Sequence, residues 1–429
     1  MVYTKQTWVN NDPTKPLSAT RLNKLETQYD EALSQVAADV ANDASDIGGA
    51  LSTKIGDVAT PLITAGVAGK ADASSVNLPA NAPIVNTYDT LHNVFGIRAR
   101  HLRRFRGRLA AAAAGTGICE VAAVGDSIVA GQGATDLSTR AWPAVSRKLL
   151  HSRLILPAPS TGWAPVHHAN AGALKDPRWV LTGTWIQGVT FLHAPSSSVG
   201  GSAATFTSDV AGTVAEVYYS GQNGEFTVSI DGGAAVTVPS SPGNEMRTYT
   251  VTGLANTTHT ITVTVSSTTA VYVYAARVRS VAGLSLSNWG FSSAKASDWL
   301  TVPWYLNTNS VISTNPALVL IGLGTNEAGN AVSAATYQAN MITLVDRFRA
   351  NSDVVLLAPI PLNGIDQSAH RAALYNVAQS RDVPVIDLAE RWLSAASALG
   401  LGMYSDGGIH PSDVGYADMG NAIAGVLAA

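Results

Sequence analysis

A largely apolar run, Ile118 to Val124, stops at Gly125-Asp126-Ser127. This reads as a buried parallel strand that delivers a serine to the carboxyl edge of a sheet, where open α/β sheets bind ligands. A serine hydroxyl is a weak nucleophile until a neighbour takes its proton. A chain built this way must also carry a histidine, an acid to orient it and donors for a developing oxyanion. Candidates for all of them lie further along the chain.

At 429 residues, 46% of them hydrophobic, the chain exceeds one typical domain and has ample material for a core. Charged residues make up 13% and the formal net charge is −3, which argues against a nucleic-acid partner. The basic stretch is His101-Leu-Arg-Arg-Phe-Arg-Gly-Arg108, read as a solvated helix face leading into the catalytic domain. Cys119 is the single cysteine, so an intrachain disulfide and a cysteine-based metal site are excluded. It is expected to be a small buried hydrophobe within the serine strand. The N-terminus, Met-Val-Tyr-Thr-Lys-Gln-Thr-Trp, lacks the apolar core of a signal peptide, and no run approaches membrane-spanning length. Synthesis in a cytoplasm without membrane insertion is therefore expected. No cofactor or metal is called for; His167-His168 has no further ligand at metal spacing.

The chain divides by texture. In residues 1–65 a helix is expected to start within Pro16-Leu-Ser-Ala-Thr-Arg-Leu-Asn-Lys-Leu-Glu26, capped by Ser18 or Thr20. Leu33, Val40 and Ile47, with Val36, Ala44 and Leu51, give an imperfect heptad broken by Gly48-Gly49. Such a lean stripe suits a short coiled-coil stalk and self-association, with a trimer expected. Residues 66–115 are assigned to a linker, richest in Gly, Ala, Ser and Pro over 66–85. Residues 116–168 open the catalytic domain. Residues 169–280 turn dense in Thr, Ser, Val and Gly with period-two patterns, for example Thr258–Val265 and Val271–Val278. Those short strands predict an inserted β-sandwich. Over 281–429 strands and helices alternate again, predicting a doubly wound parallel sheet of the flavodoxin-like kind.

Four segments at strand ends or loops carry the chemistry: Gly125-Asp-Ser127, Asn288-Trp-Gly-Phe-Ser-Ser293, Gly322-Leu-Gly-Thr-Asn326 and Asp406-Gly-Gly-Ile-His-Pro411. In order and context they resemble the blocks of the SGNH hydrolases, the GDSL-type esterases, over residues 118–165 and 281–429. The resemblance implies a carboxylic ester hydrolase without cofactor. Ser127 is then the nucleophile, His410 the base and later the acid, and Asp406 the residue that orients the imidazole. The oxyanion is held by the backbone N–H groups of Ser127 and Gly290 and by the Asn326 amide. Two departures stand out. Glu327 replaces the family's usual aspartate, at a position peripheral to the chemistry. Asp406 and His410 are separated by three residues where the family has two, which leaves Asp413 as a second candidate acid. Gly407 and Gly408 are able to absorb the extra residue.

The N-terminal Thr7-Trp8 and the 16–26 segment resemble the start of tail-fibre and baseplate proteins of bacteriophages infecting Gram-positive bacteria. That resemblance implies a virion protein, attached to other tail proteins by its N-terminus. The expected activity is removal of O-acyl groups, O-acetyl above all, from a host cell-surface polysaccharide or cell-wall glycan. The β-rich insertion has the texture of carbohydrate-binding modules. Trp142, Trp163, Trp179, Trp185 and Trp289 are candidates to stack on sugars, with core packing the default for each. Two other readings stay open: a receptor-binding tail protein whose hydrolase domain is a scaffold, and an esterase of lipids or small esters.

Overall fold

The computed structural model describes residues 93–429, apart from 155, 157–159, 167–175, 187–195, 222, 241, 244 and 302–306. The stalk of residues 1–65, the first part of the linker and His167-His168 lie outside the described residues.

The catalytic domain is built on six strands: β1 (Val94–Phe95), β2 (Ile118–Gly125), β3 (Gly283–Gly290), β4 (Leu318–Gly322), β5 (Asp353–Ala358) and β6 (Val385–Asp387). Their order is β1-β6-β5-β4-β2-β3. All neighbours are parallel except β1, which runs antiparallel to β6. Side chains alternate across the sheet. In β2, Val121 and Ala123 face a core shared with Trp142, Leu150, Tyr416 and Met419, while Ala122 and Val124 face Tyr337, Met341, Leu374 and Val377. Helices Trp142–Arg153 and Asp413–Ala428 therefore cover one face, and Ala334–Arg349 and Ser368–Arg381 the other. Burial on both faces is why these strands read as continuous apolar runs. Cys119 is fully buried in β2, which pushes its thiol up to about 12.

Two expectations are corrected. The linker does not extend to 115. Val94 and Phe95 are buried and form an edge strand against Ile386 and Val385, and helix Arg103–Ala113 packs through Phe105 and Ala112. The arginine stretch is also more than a solvated face. Arg104 donates to the carbonyls of Arg349, Ala350 and Ser352 at the end of one helix, and Arg100 pairs with Asp382 after another. Cations at helix C-termini satisfy carbonyls that lack intrahelical partners.

Between β2 and β3 the chain builds two five-stranded antiparallel sheets. One has Met246–Thr257, Gly212–Ser220, Val271–Arg279 and Ala164–Pro165 in that order, with Ser196–Ser197 beside the third. The other orders Trp179–Thr182, Ala203–Thr207, Thr260–Val265, Phe226–Ile230 and Val236–Val238. Phe206, Phe226, Val228, Ile261 and Val263 of the second share one apolar cluster with Val217, Val273 and Val278 of the first. The insertion begins earlier than residue 169, because Ala164–Pro165 is hydrogen-bonded to Val271–Arg279.

The first of these sheets also packs on the catalytic domain. Tyr218, Tyr274 and Ala275 join the core that contains Trp289, and Trp163 stacks on Trp289 with ring centroids 3.9 Å apart. A buried ionic cluster crosses the same boundary. Arg277 binds Glu120 of β2 through Nη1 (2.7 Å) and Glu216 of the insertion through Nε. Arg279 reaches Glu216 at 2.6 Å, and the Ser287 hydroxyl donates to Glu120. Burial works against Glu216's charge, but the two guanidinium groups win and hold its carboxyl down at about 2. Taking away one member of such a cluster strands a charge in low dielectric. Arg277→Met is expected to cost about 3–5 kcal/mol, read as a lower urea midpoint with the slope unchanged.

Candidate active site

The four segments meet at the carboxyl edge of the sheet. Gly125 of β2 is in register with Gly290 of β3 on one side and Gly322 of β4 on the other. Asp126 turns the chain out of β2 and caps the short helix Ser127–Ala130, its Oδ1 accepting the Ile128 N–H at 2.9 Å. Ser127 is thus the first residue of a helix, where amide N–H groups lack intrahelical acceptors.

Ser127 Oγ lies 3.0 Å from His410 Nε2, and His410 Nδ1 lies 2.7 Å from Asp406 Oδ2. The Asp406 carboxylate only accepts, so Nδ1 must donate to it. The neutral ring then presents the Nε2 lone pair to the serine hydroxyl. Partial burial works to raise the Asp406 pKa. The amides of His410 and Ile409 and the His410 ring outweigh it and hold the group below its ordinary value. Ser127 is 5% exposed, whereas the side chains of His410 and Asp406 are 15% and 39% exposed. The serine sits in the protein wall and the acid faces solvent.

The extra residue between Asp406 and His410 is taken up in a turn. Asp406 Oδ1 accepts from the N–H groups of Gly408, Ile409 and His410 at 3.2, 2.8 and 3.0 Å. Gly408 has φ +108°, and a Cβ there would lie 2.5 Å from Asn363 Cβ. Asn363, after β5, binds the turn twice: its N–H donates to the Gly408 carbonyl and its side chain to the Gly407 carbonyl. The second candidate acid, Asp413, is held elsewhere by the Thr135 amide and hydroxyl. Gly408→Ala is expected to cost about 1–3 kcal/mol of stability and to lower ester turnover by loosening the Asp406–His410 pair. Thermal melts and kcat together check this.

The oxyanion donors do not all stand as expected. Asn326 donates through Nδ2 to the Ala294 carbonyl (3.0 Å), which leaves the second hydrogen of that amide. The Gly290 N–H already donates to Asn288 Oδ1 at 3.0 Å. Gly290 is a glycine for another reason: a Cβ there would sit 2.0 Å from the Ala130 nitrogen of the serine helix. In the turn that follows, the amides of Ser292 and Ser293 have no acceptor among the described residues, and Ser293 has φ +65°. Their N–H groups are the uncommitted backbone donors nearest in sequence to Gly290.

Asn363 escaped sequence reasoning, and Glu327 is not the peripheral residue it reads as. Asn363-Gly364 is a turn signal just beyond a strand end, the local cue that points to this edge. Glu327 is buried and binds backbone amides of two segments. The tryptophans are mostly core: Trp142, Trp163 and Trp289 are at most 1% exposed and Trp179 is 4% exposed, while Trp185 is half-buried. Among the described residues no cluster of three or more His, Cys, Asp or Glu could hold a metal, and no helix is long and apolar enough to cross a membrane.

Residues 257–417 match the model of the GDSL-like lipase/acylhydrolase family, a span holding Gly290, Asn326, Asp406 and His410. The chain carries a GDSL-type hydrolase domain. Its chemistry is that of a carboxylic ester hydrolase. No curated protein matches the chain. A peptidoglycan O-acetylesterase structure is similar with 17% identity, over 76% of this chain and 95% of that one, at a TM-score of 0.60. A putative lipolytic protein of the G-D-S-L family from Desulfitobacterium hafniense DCB-2 matches at 24% identity, over 33% of this chain and 81% of that one, at a TM-score of 0.30. A two-domain esterase active on acetylated mannans matches at 10% identity, over 76% and 53%, at a TM-score of 0.39. The first of these shows a shared fold.

One acid of the GDSL-type domain carries a pH signature. Burial, with the nearby Glu327 charge adding to it, pushes the Asp126 carboxyl from 3.8 up to about 7. A folded value above the unfolded one means the native state holds a proton that the unfolded chain releases. Its contribution to stability is thus greatest below about 4 and is lost as pH rises towards about 7. Asp126→Asn keeps the cap acceptor and removes this slope, which thermal melts across that window measure.

Proposed function

We propose that this protein is a serine esterase that removes O-acyl groups, O-acetyl above all, from a cell-surface glycan. The observation that carries the reading is the continuous Ser127–His410–Asp406 relay at 3.0 and 2.7 Å. Ser127 Oγ attacks the ester carbonyl carbon as His410 Nε2 takes its proton. The carbonyl oxygen becomes an oxyanion facing the Ser127 amide, the Asn326 amide and the turn at Ser292–Ser293. Collapse breaks the ester C–O bond, and His410 returns its proton to the departing alcohol. Water, deprotonated by the same ring, then hydrolyses the acyl-serine. Asp406 holds the tautomer and stabilises the imidazolium.

A glycan ester is supported by the exposed acid side of the triad, which leaves room for a bulky alcohol beside His410, and by the peptidoglycan O-acetylesterase that shares the fold. The N-terminal motif supports placing the enzyme on a phage tail as an oligomer, the trimer of the heptad reading, with a host glycan as substrate. Hydrolysis of 4-nitrophenyl acetate, and release of acetate from O-acetylated peptidoglycan, are expected from the wild type. Ser127→Ala is expected to lower both by at least about a thousandfold with the melting temperature unchanged. Undiminished turnover by that variant would sink the mechanism.

A further inference from the structure

Beneath the site lies a carboxylate for which ester hydrolysis has no step. Glu327 is 1% exposed, deep enough that burial raises its pKa. Its Oε1 accepts the Ala296 N–H at 2.7 Å and its Oε2 the Gly324 N–H at 3.1 Å. The two amides belong to different segments: Ala296 follows the turn after β3, and Gly324 precedes the short helix Thr325–Gly329 after β4. Asn326, the neighbouring residue, joins the same two segments through its bond to the Ala294 carbonyl. The oxyanion turn and the oxyanion side chain are thus clamped together twice, by adjacent residues of one helix.

The chemistry of the clamp is specific. Two backbone donors converge on one side chain, and a carboxylate is the group that offers two acceptors and no donor. A glutamine would turn its NH2 towards one of the amides. An aspartate is one methylene shorter, so it gives up one of the two segments. Burying a carboxylate costs several kcal/mol before its partners are counted. A second buried acid, Asp126, raises that cost and caps the nucleophile helix from the same layer.

We propose that Glu327 is a positioning residue for the oxyanion site, setting the Asn326 amide and the Ser292–Ser293 turn at a fixed distance from Ser127. This rests on the esterase reading above. Glu327 does not touch substrate; it acts through Asn326 and the turn.

The test is a double-mutant cycle in 4-nitrophenyl acetate hydrolysis, with melting temperatures alongside. Glu327→Gln and Glu327→Asp are each expected to lower kcat by about ten- to a hundredfold with KM within about twofold. Asn326→Ala is expected to lower it by about 10²–10³, the usual loss for one oxyanion donor. Because Glu327 works through Asn326, adding Glu327→Gln to Asn326→Ala is expected to cost less than about threefold more. A full, multiplicative loss in the double variant overturns the proposal, as does wild-type kcat in both single variants. If neither single variant folds, Glu327 belongs to stability alone and the proposal also falls. Failure of the esterase reading looks different: wild-type turnover is then absent, or is untouched by Ser127→Ala.

Discussion

Three glycines in one row decide where the nucleophile can stand. Gly125, Gly290 and Gly322 end three neighbouring strands in register, and the helix Ser127–Ala130 lies directly on them. A Cβ on Gly125 would meet Val129 Cγ2 at 2.2 Å and the Gly322 carbonyl at 2.3 Å, and one on Gly290 would meet the Ala130 nitrogen at 2.0 Å. These contacts are with backbone or a β-branched side chain, so rotamer changes do not relieve them. The serine is buried at the sheet edge because the edge is flat there. The segments carrying Asn326 and the Ser292–Ser293 turn leave the same row, so strand register brings both to the edge where Ser127 stands.

The insertion belongs to this catalytic layer rather than hanging beside it. Glu120 lies in β2, seven positions before the nucleophile, and its carboxylate is neutralised by an arginine from the insertion. A buried ion pair is weak evidence of stability, but it discriminates strongly among arrangements: Arg277 satisfies Glu120 and Glu216 together only when the insertion's sheet sits against β3 as observed. The Trp163–Trp289 stack adds apolar contact across the same boundary. A separable sugar-binding module would avoid both features, since each exposes a charge or an indole on release.

The chemistry was legible in the sequence where it sits at the ends of parallel strands. An apolar run that stops at a polar residue announces its own edge, and Ser127 and Asn326 stand at such ends; His410 is legible instead as the histidine of the loop before the last helix. The all-β character of the insertion was legible because antiparallel strands with one wet face alternate with period two. What escaped depends on tertiary partners. Val94–Phe95 is too short to show a period, and its pairing with Ile386 and Val385 joins residues nearly 300 positions apart. Ala164–Pro165 is a strand only because Val271–Arg279 lies beside it. Gly290 carries the right residue at the right place, yet its N–H is taken by Asn288, a matter of one side-chain rotamer. Glu327 looked like a peripheral exchange of one acid for another, because nothing local reveals that Ala296 supplies its second donor.

The same contrast explains how a half-exposed acid can serve the triad. Water competes for any carboxylate that faces solvent, and an isolated exposed pair is worth little. Asp406 divides the work between its oxygens: Oδ1 is committed to three amides of its own turn, which leaves Oδ2 aimed at His410 Nδ1. The turn is in turn pinned by Asn363 from the next strand end. Orientation therefore comes from backbone geometry rather than from a dry environment. The extra residue between acid and histidine is tolerated because Gly408 reaches a backbone angle that a side chain would resist. A triad held in this way can stay open on the leaving-group side, which is what an alcohol embedded in a polymer requires.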